Sequence, residues 1–334
     1  MSLRVELADP LSEGPPDGWD RFVTDAGWGG LWRFDVLRSL AGAAQAPTLL
    51  ALVADASGHP WAAFHARHLG LPGSPLTFAA PGRWPWTGLV ECRHQPSASL
   101  PGHVFAAGLD ERGRAEASAA FAAALRRRLR ARYTALVHRT LTASDLRSIR
   151  GPLTLKVKPH LAIEIAWPDF DGYLASLPGD RRREMRRSRR AIDEDVTVSW
   201  EPGVDPRDAA RLAETVRRRH RSRRHIAPPV PERYFALLGQ APEVHFLTYR
   251  DHRAALLGFV AVHDTGTRLI SLLWGAPDHT EGGRPGLYFD LYPRLVERAI
   301  QLGRTTLDLG KGLPEVKTRY GATPHARHIV VVAR

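Results

Sequence analysis

Residues 257–322 narrow the choice of fold more than any other stretch. They read LGFVAVHDTGTRLISLLWGAPDHTEGGRPGLYFDLYPRLVERAIQLGRTTLDLGKGLPEVKTRYGA. Two apolar runs flank Asp264, Thr265, Gly266 and Thr267, the composition of a tight hairpin turn. Gly282, Gly283, Arg284, Pro285 and Gly286 then break the strand. Beyond them Leu287, Leu291, Leu295, Val296, Ala299 and Ile300 recur at helical spacing, with Gly303 as a stop. A short apolar run, TTLDLG, and a lysine-bearing turn follow. Strand, turn, strand, glycine-rich break, amphipathic helix and strand is the order of an α/β sheet.

The rest of the chain repeats that order. Leu31, Phe34, Leu37 and Leu40 predict one helix over 30–44, two strand-like runs follow, and the alanine-rich segment 110–132 predicts a long helix before a strand at 135–139. Residues 72–101, rich in Pro, Gly and Trp, predict an irregular loop in which Trp84 and Trp86 plug an interface or wall a pocket. After Gly151 and Pro152, LTLKVKPHLAIEIAW alternates as a strand. Helices are predicted behind Asp180, over 206–224 and over 231–238, then a meander of strands, with HIVVVAR closing the sheet. Two tandem domains of one class are expected, 1–150 and 151–334.

At 334 residues the chain is long enough for both. A content of 43% hydrophobic and 25% charged residues is that of a globular protein. No apolar run reaches the roughly 18 residues that span a bilayer, and the N-terminus MSLRVELADP lacks the basic-then-apolar order of a signal peptide. A cytoplasmic location is the expectation. Cys92 is the only cysteine, so neither an intrachain disulfide nor a cysteine metal cluster can form. The histidines show no H-x-x-x-H or H-E-x-x-H spacing, and no metal site is expected. No G-x-S-x-G elbow or Walker loop is present.

The net charge of +12 and the pI near 10.5 favour polyanions. The charge is concentrated: 126–132, 181–190 and 217–224 hold runs of arginine, while acidic residues are spread out. Arginines crowded on one helix repel by a few tenths of a kcal/mol per pair unless anions neutralise them. Arg181, Arg182, Arg183, Arg186, Arg187 and Arg190, with Arg217, Arg218, Arg221 and Arg224, are therefore candidate phosphate contacts, and two such helices in one domain could line a broad patch. Only four of the 47 basic residues are lysines, Lys156, Lys158, Lys311 and Lys317.

The run Tyr288, Asp290, Arg294, Ala299, Gly303, Asp308, Gly310, Glu315, Lys317, Tyr320 and Gly321 carries an aromatic-rich helix, A-x-x-x-G, an aspartate strand and E-x-K-x-x-x-G. Upstream, Tyr173, Leu174, Leu177, Arg182, Arg183, Arg186 and Arg187 give Y-L-x-x-L followed by R-R-x-x-R-R. In these motifs the sequence resembles the Fem-like branch of the GNAT acyltransferase superfamily. The resemblance implies an α/β fold of two tandem GNAT-like domains, each a mixed, mainly antiparallel sheet flanked by helices, with the active site in the second and an acceptor or interface role for the first.

It also implies an aminoacyltransferase that takes its acyl group from aminoacyl-tRNA as co-substrate, without a bound cofactor, and forms an amide on the amine of a small molecule or cell-wall precursor. Under that resemblance Lys317 would steady the oxyanion or the terminal ribose, Asp290 and Asp308 are candidate bases, and Trp274, Tyr288, Tyr292 and Tyr320 are pocket walls. Two other functions stay open. One is an N-acyltransferase using a coenzyme A thioester, although residues 282–286 lack the Q/R-x-x-G-x-G/A spacing and Pro285 removes an amide donor. The other is a non-enzymatic nucleic-acid-binding protein, for which the basic helices alone would suffice, without a helix-turn-helix, zinc-finger or RNP pattern.

Overall fold

The computed structural model describes residues 3–44, 47–69, 88–94, 96, 99–219 and 228–333. Trp84, Trp86, Arg221 and Arg224 lie outside them. The chain forms two compact units, Met1–Lys158 with Ala326–Arg334, and Pro159–His325.

In chain order the elements begin with β1 (Arg4–Ala8), α1 (Trp19–Asp25), α2 (Gly29–Trp32), α3 (Phe34–Ala43), β2 (Thr48–Ala54) and β3 (Pro60–Leu69). Next come β4 (Gly88–Cys92), β5 (His103–Phe105), α4 (Glu111–Leu129), β6 (Tyr133–Leu141), α5 (Asp145–Ser148) and β7 (Leu153–Glu164). The second half holds α6 (Phe170–Ser176), α7 (Gly179–Asp193), β8 (Thr197–Glu201), α8 (Pro206–Arg219), α9 (Glu232–Leu238), β9 (Val244–Arg250) and β10 (Leu256–Asp264). It ends with β11 (Arg268–Gly275), α10 (Leu287–Gln301), β12 (Thr306–Gly310), α11 (Pro314–Thr318) and β13 (Thr323–Ala333).

In the first unit the strands run β1-β2-β3-β4-β6-β13, with β5 also on β3, and only the β4–β6 pair is parallel. Leu49, Ala51, Phe64, Val90 and Cys92 bury one face against Ala117, Phe121 and Leu125 of α4. Phe121 stacks on Phe64 at 4.2 Å. Asp110 caps α4 by accepting the Gly113 amide at 2.7 Å. The helix expected over 30–44 is two, because Arg33 is extended (φ −51°, ψ 143°) between α2 and α3. The sequence reading kept HIVVVAR with the second domain; the structure pairs β13 with β6, Val331 opposite Val137, so the chain end joins the first unit. Such pairing depends on contacts almost 200 positions apart in sequence, beyond any local pattern.

The second unit orders its strands β7-β12-β11-β10-β9-β8. The hairpin stands as expected, with Gly266 at φ +83°, a conformation open to glycine. Crossover by α10 makes β11 and β12 parallel, but only Arg268–Ile270 pair with Thr306–Asp308. Inside α10, Pro293 costs about 3 kcal/mol. Burial of Leu287, Leu291, Leu295 and Val296 offsets this, at about 1.5–3 kcal/mol apiece.

The two faces of this sheet carry different helices. Leu247, Tyr249, Val260 and Val262 pack with Met185 and Ile192 of α7 and with the apolar side of α10. Their strand neighbours Phe246 and Phe259 point the other way, where Phe259 meets Phe235 of α9 at 5.6 Å. Helix α8 packs on α9 and on β11. The arginine helices α7 and α8 thus cover opposite faces, and the expectation of one continuous basic patch is corrected. The periodicity of each helix says which side is apolar but not which face of the sheet receives it.

Candidate active site

Helix α7 is pinned by Met185 and Ile192, which face the core, so its arginines line the remainder. Arg181 bonds to Glu184, Arg186 lies 3.8 Å from Asp171, and Arg189 binds Glu297 at 2.7 Å while covering the Phe170 ring. Among the described residues, Arg182, Arg183, Arg187 and Arg190 have no carboxylate within 4.0 Å. Arg183, Arg186, Arg187 and Arg190 border a shallow groove along the helix with Ala191 and Glu194.

On α8 the arginines of the last turn are ion-paired. Arg217 and Arg218 bond to Glu214 at 2.5 and 2.9 Å, and Arg219 reaches Asp278 at 2.8 Å. The Arg217 hydrogen bond holds the Glu214 carboxyl down at about 2, against its partial burial.

Between α7, α10 and α11 lies a cavity of about 200 Å³, lined by Arg181, Glu184, Met185, Ser188, Phe289, Asp290, Pro293, Val316, Arg319 and Tyr320. Its volume is below the roughly 300–1,000 Å³ of drug-sized ligand sites. Asp290 is 2% exposed. Its Oδ2 accepts from Arg294 Nε at 2.6 Å, and Arg294 also binds Asp193. The buried Asp290 carboxylate interacts with the Tyr249 hydroxyl, whose pKa is raised by burial first and then by Asp290. Burial pushes the Asp290 carboxyl above the usual aspartate range, outweighing Arg294. A second acceptor adjoins it: Pro293 has no amide hydrogen, so the Phe289 carbonyl lacks its helical donor. Asp290 Oδ1 and the Phe289 carbonyl are both acceptors on cavity-lining residues, suited to an amine.

The four expected aromatics form one chain of contacts. Trp274 meets Tyr288 at 5.7 Å, Tyr288 meets Tyr292 at 5.5 Å, and Tyr292 stacks on Tyr320 at 4.8 Å. The Tyr292 hydroxyl donates to that of Tyr288 at 2.7 Å, and Tyr173 bonds to the Tyr320 carbonyl at 3.1 Å. Tyr320 lines the cavity; Tyr292, 1% exposed, backs it.

Lys317 and Asp308 sit elsewhere, at the end of β12. Lys317 Nζ donates to the Leu309 carbonyl, and burial lowers its ammonium to about 8 despite the Asp308 charge nearby. Asp308 accepts from Arg268 at 3.1 Å and from the Gly310 amide at 2.8 Å. The three expected catalytic residues are thus split, with Asp290 in the cavity and Lys317 and Asp308 bracing β12. The sequence reading passed over Glu184, Ser188, Phe289 and Arg319. The signal available for them was Pro293 in a helical run and the spacing of Arg181, Glu184 and Ser188 on one side of α7.

The glycine-rich break folds on itself. Glu281 and Gly283 both donate their amides to the Asp278 carbonyl, at 2.9 and 2.8 Å. A Cβ on Gly283 would lie 2.6 Å from the Pro277 carbonyl oxygen, so only glycine fits. Arg284 turns away to Asp195 at 3.0 Å.

Residues 179–320, which contain α7, the cavity and β12, match the family model described as an acetyltransferase (GNAT) domain. This stretch is a GNAT domain. Over nearly its whole length the chain also has the fold of the Fem-like branch that its motifs resemble. It is similar to L-PGS from Bacillus licheniformis (TM-score 0.57, 10% identity, covering 96% of this chain and 92% of that one). FemX superimposes with TM-score 0.56 and 11% identity, over 97% of this chain and 96% of that one. The C-terminal domain of a putative lysylphosphatidylglycerol synthetase from Agrobacterium fabrum gives 0.53 and 12%, over 93% and 92%. Identities this low carry the fold alone. No curated protein matched the sequence. The domain makes the chain an acyltransferase, and none of its described helices is long and apolar enough to cross a membrane.

Proposed function

We propose that this GNAT acyltransferase moves an aminoacyl group from charged tRNA to the primary amine of a small molecule or cell-wall precursor. The observation that carries the reading is the cavity itself: an ionisable carboxylate, Asp290, among its lining residues, beside a helix on which Arg182, Arg183, Arg187 and Arg190 have no carboxylate partner among the described residues. The tRNA backbone would lie along Arg182, Arg183, Arg187 and Arg190, placing its 3′ end toward the cavity. Asp290 Oδ1 and the Phe289 carbonyl would receive the incoming amine, and Asp290 would take its proton as the amide bond forms and the ribose ester breaks. The carboxyl is suited to this, since burial has already made it more basic than a solvated aspartate.

The aminoacyl ester is activated before it arrives, so orientation and proton removal are the main tasks left to the protein. Lys317 and Asp308 are read here as positioning residues that fix the end of β12. The coenzyme A alternative finds less support: the amides of Glu281 and Gly283 are turned onto Asp278, and Pro285 has none, so the loop before α10 offers a pyrophosphate few donors. Incubating the protein with charged tRNA or with acyl-CoAs, plus a panel of amines, tests the choice. Amine-dependent deacylation of tRNA is expected; consumption of acyl-CoA alone would overturn it.

A further inference from the structure

The first unit holds a charge imbalance that nothing in the second unit explains. The Glu91 carboxylate is 1% exposed and is shared by three guanidiniums. Arg67, beside it on β3, gives Glu91 Oε2 two N–H groups at 2.9 and 2.8 Å. Arg139 of β6 reaches Oε1 at 2.7 Å. Arg93, just past β4, comes no nearer than 3.6 Å, and its Nε is buried without a hydrogen-bond partner. These side chains occupy the sheet face away from α4, because Glu91 alternates with Val90 and Cys92, which pack on the α4 side.

Three guanidiniums around one carboxylate put an excess of positive charge in a partly desolvated place. Burial lowers the Arg93 guanidinium to about 10, and burial first, then Arg67 and Arg93, holds the neighbouring His65 neutral at about 4. Buried charge is costly unless compensated. The side of the cluster at Arg139, which is 37% exposed, is open to solvent.

We propose that Arg93 and Arg139, backed by Arg67 and Glu91, bind a phosphate-type oxyanion. A phosphomonoester carries close to two negative charges at neutral pH, so it would offset more of the positive surplus at Arg93 and Arg139 than a carboxylate would. Its oxygens would take the Arg93 Nε–H, which lacks a protein acceptor, and the planar guanidiniums favour paired contacts with such oxygens. The phosphoryl group could be borne by a soluble metabolite or by a lipid headgroup. The site belongs to the first unit alone and does not depend on the identity of the acyl donor.

The test is thermal denaturation of the full chain against inorganic phosphate, at constant ionic strength set with chloride, since a ligand of the folded state raises stability with its concentration. Saturable stabilisation is expected. Arg93→Gln/Arg139→Gln should shift the phosphate midpoint by about tenfold or more, as loss of charge-assisted hydrogen bonds does. Arg183→Gln/Arg187→Gln/Arg190→Gln on α7 should leave that midpoint in place. Glu91→Gln removes the internal competitor and should lower the midpoint, which a cluster serving only to brace the sheet would not do. Glycerol 3-phosphate and phosphatidylcholine vesicles containing phosphatidic acid then separate the two carriers. An unchanged midpoint in Arg93→Gln/Arg139→Gln, a shift confined to the α7 variant, or no response above the chloride and phosphatidylcholine controls would each overturn the proposal.

Discussion

Helices α7 and α8 both end in dense arginine, yet they meet solvent in different electrostatic states. On α8, Glu214 stands three and four residues before Arg217 and Arg218 and is shared by both, Asp208 takes Arg211, and Asp278 takes Arg219. On α7, Glu184 serves Arg181, Asp193 is drawn off to Arg294 and Asp195 to Arg284, and Glu194 stays on the groove that the arginines border. Arg182, Arg183, Arg187 and Arg190 are left facing water without a carboxylate among the described residues. A count of basic residues does not distinguish the two helices. The pairs that close do: Asp180 and Glu184 stand three residues before Arg183 and Arg187 on α7, yet Glu184 goes to Arg181, whereas on α8 Glu214 holds both Arg217 and Arg218.

The proposed function places its chemistry on the α7 side of the sheet, and the largest effects should follow that division. Asp290→Asn is expected to slow acyl transfer about 100- to 10,000-fold, the range for losing a general base, with donor binding intact. In the wild type the rate should fall on acidification at a pH above the ordinary aspartate value of 3.8, because the base must be ionised and burial has raised its pKa. Single-turnover kinetics would show both; a wild-type rate in Asp290→Asn places the base elsewhere. Glu214→Gln, by contrast, should barely alter transfer.

That same variant sharpens the comparison in a second way. Freeing Arg217 and Arg218 should make α8 resemble α7 and steepen the salt dependence of polyanion binding by about 0.7–0.9 for each phosphate newly contacted. Heparin retention at graded salt would reveal it, and an unchanged profile would mean that Glu214 is not what keeps α8 silent.

The smallest effect is on stability. Glu214 has a folded pKa depressed from 4.5 to about 2 by its bond to Arg217. Its contribution is therefore complete above pH 4.5 and fades as pH falls toward about 2. For a pair this near the surface it should stay below about 1 kcal/mol. Acid denaturation of wild type and Glu214→Gln should converge at the low end of that window; a difference that persists there would contradict the assignment.

Much of this was legible in the sequence. The hairpin at Gly266, the break before α10, the helix itself and the short strand carrying Asp308 follow from local pattern, since turn chemistry and periodicity act over a few residues. What the sequence could not supply was topology. Nothing local says that β13 pairs with β6, that α7 and α8 take opposite faces, or that Lys317 spends its ammonium on the Leu309 carbonyl. The cavity was half legible: Asp290 and Tyr320 stand in motifs, but Glu184 and Ser188 reach it only through the packing of α7 on α10.

The salt dependence of tRNA binding tests the central contrast most directly. For the wild type, log affinity against log salt should be linear with a slope of several units, about 0.7–0.9 per phosphate contacted. Arg183→Gln/Arg187→Gln/Arg190→Gln should flatten it by roughly two to three, and Arg217→Gln/Arg218→Gln by less than about 0.5. Equal flattening by both variants, or flattening by the α8 variant alone, would contradict the account.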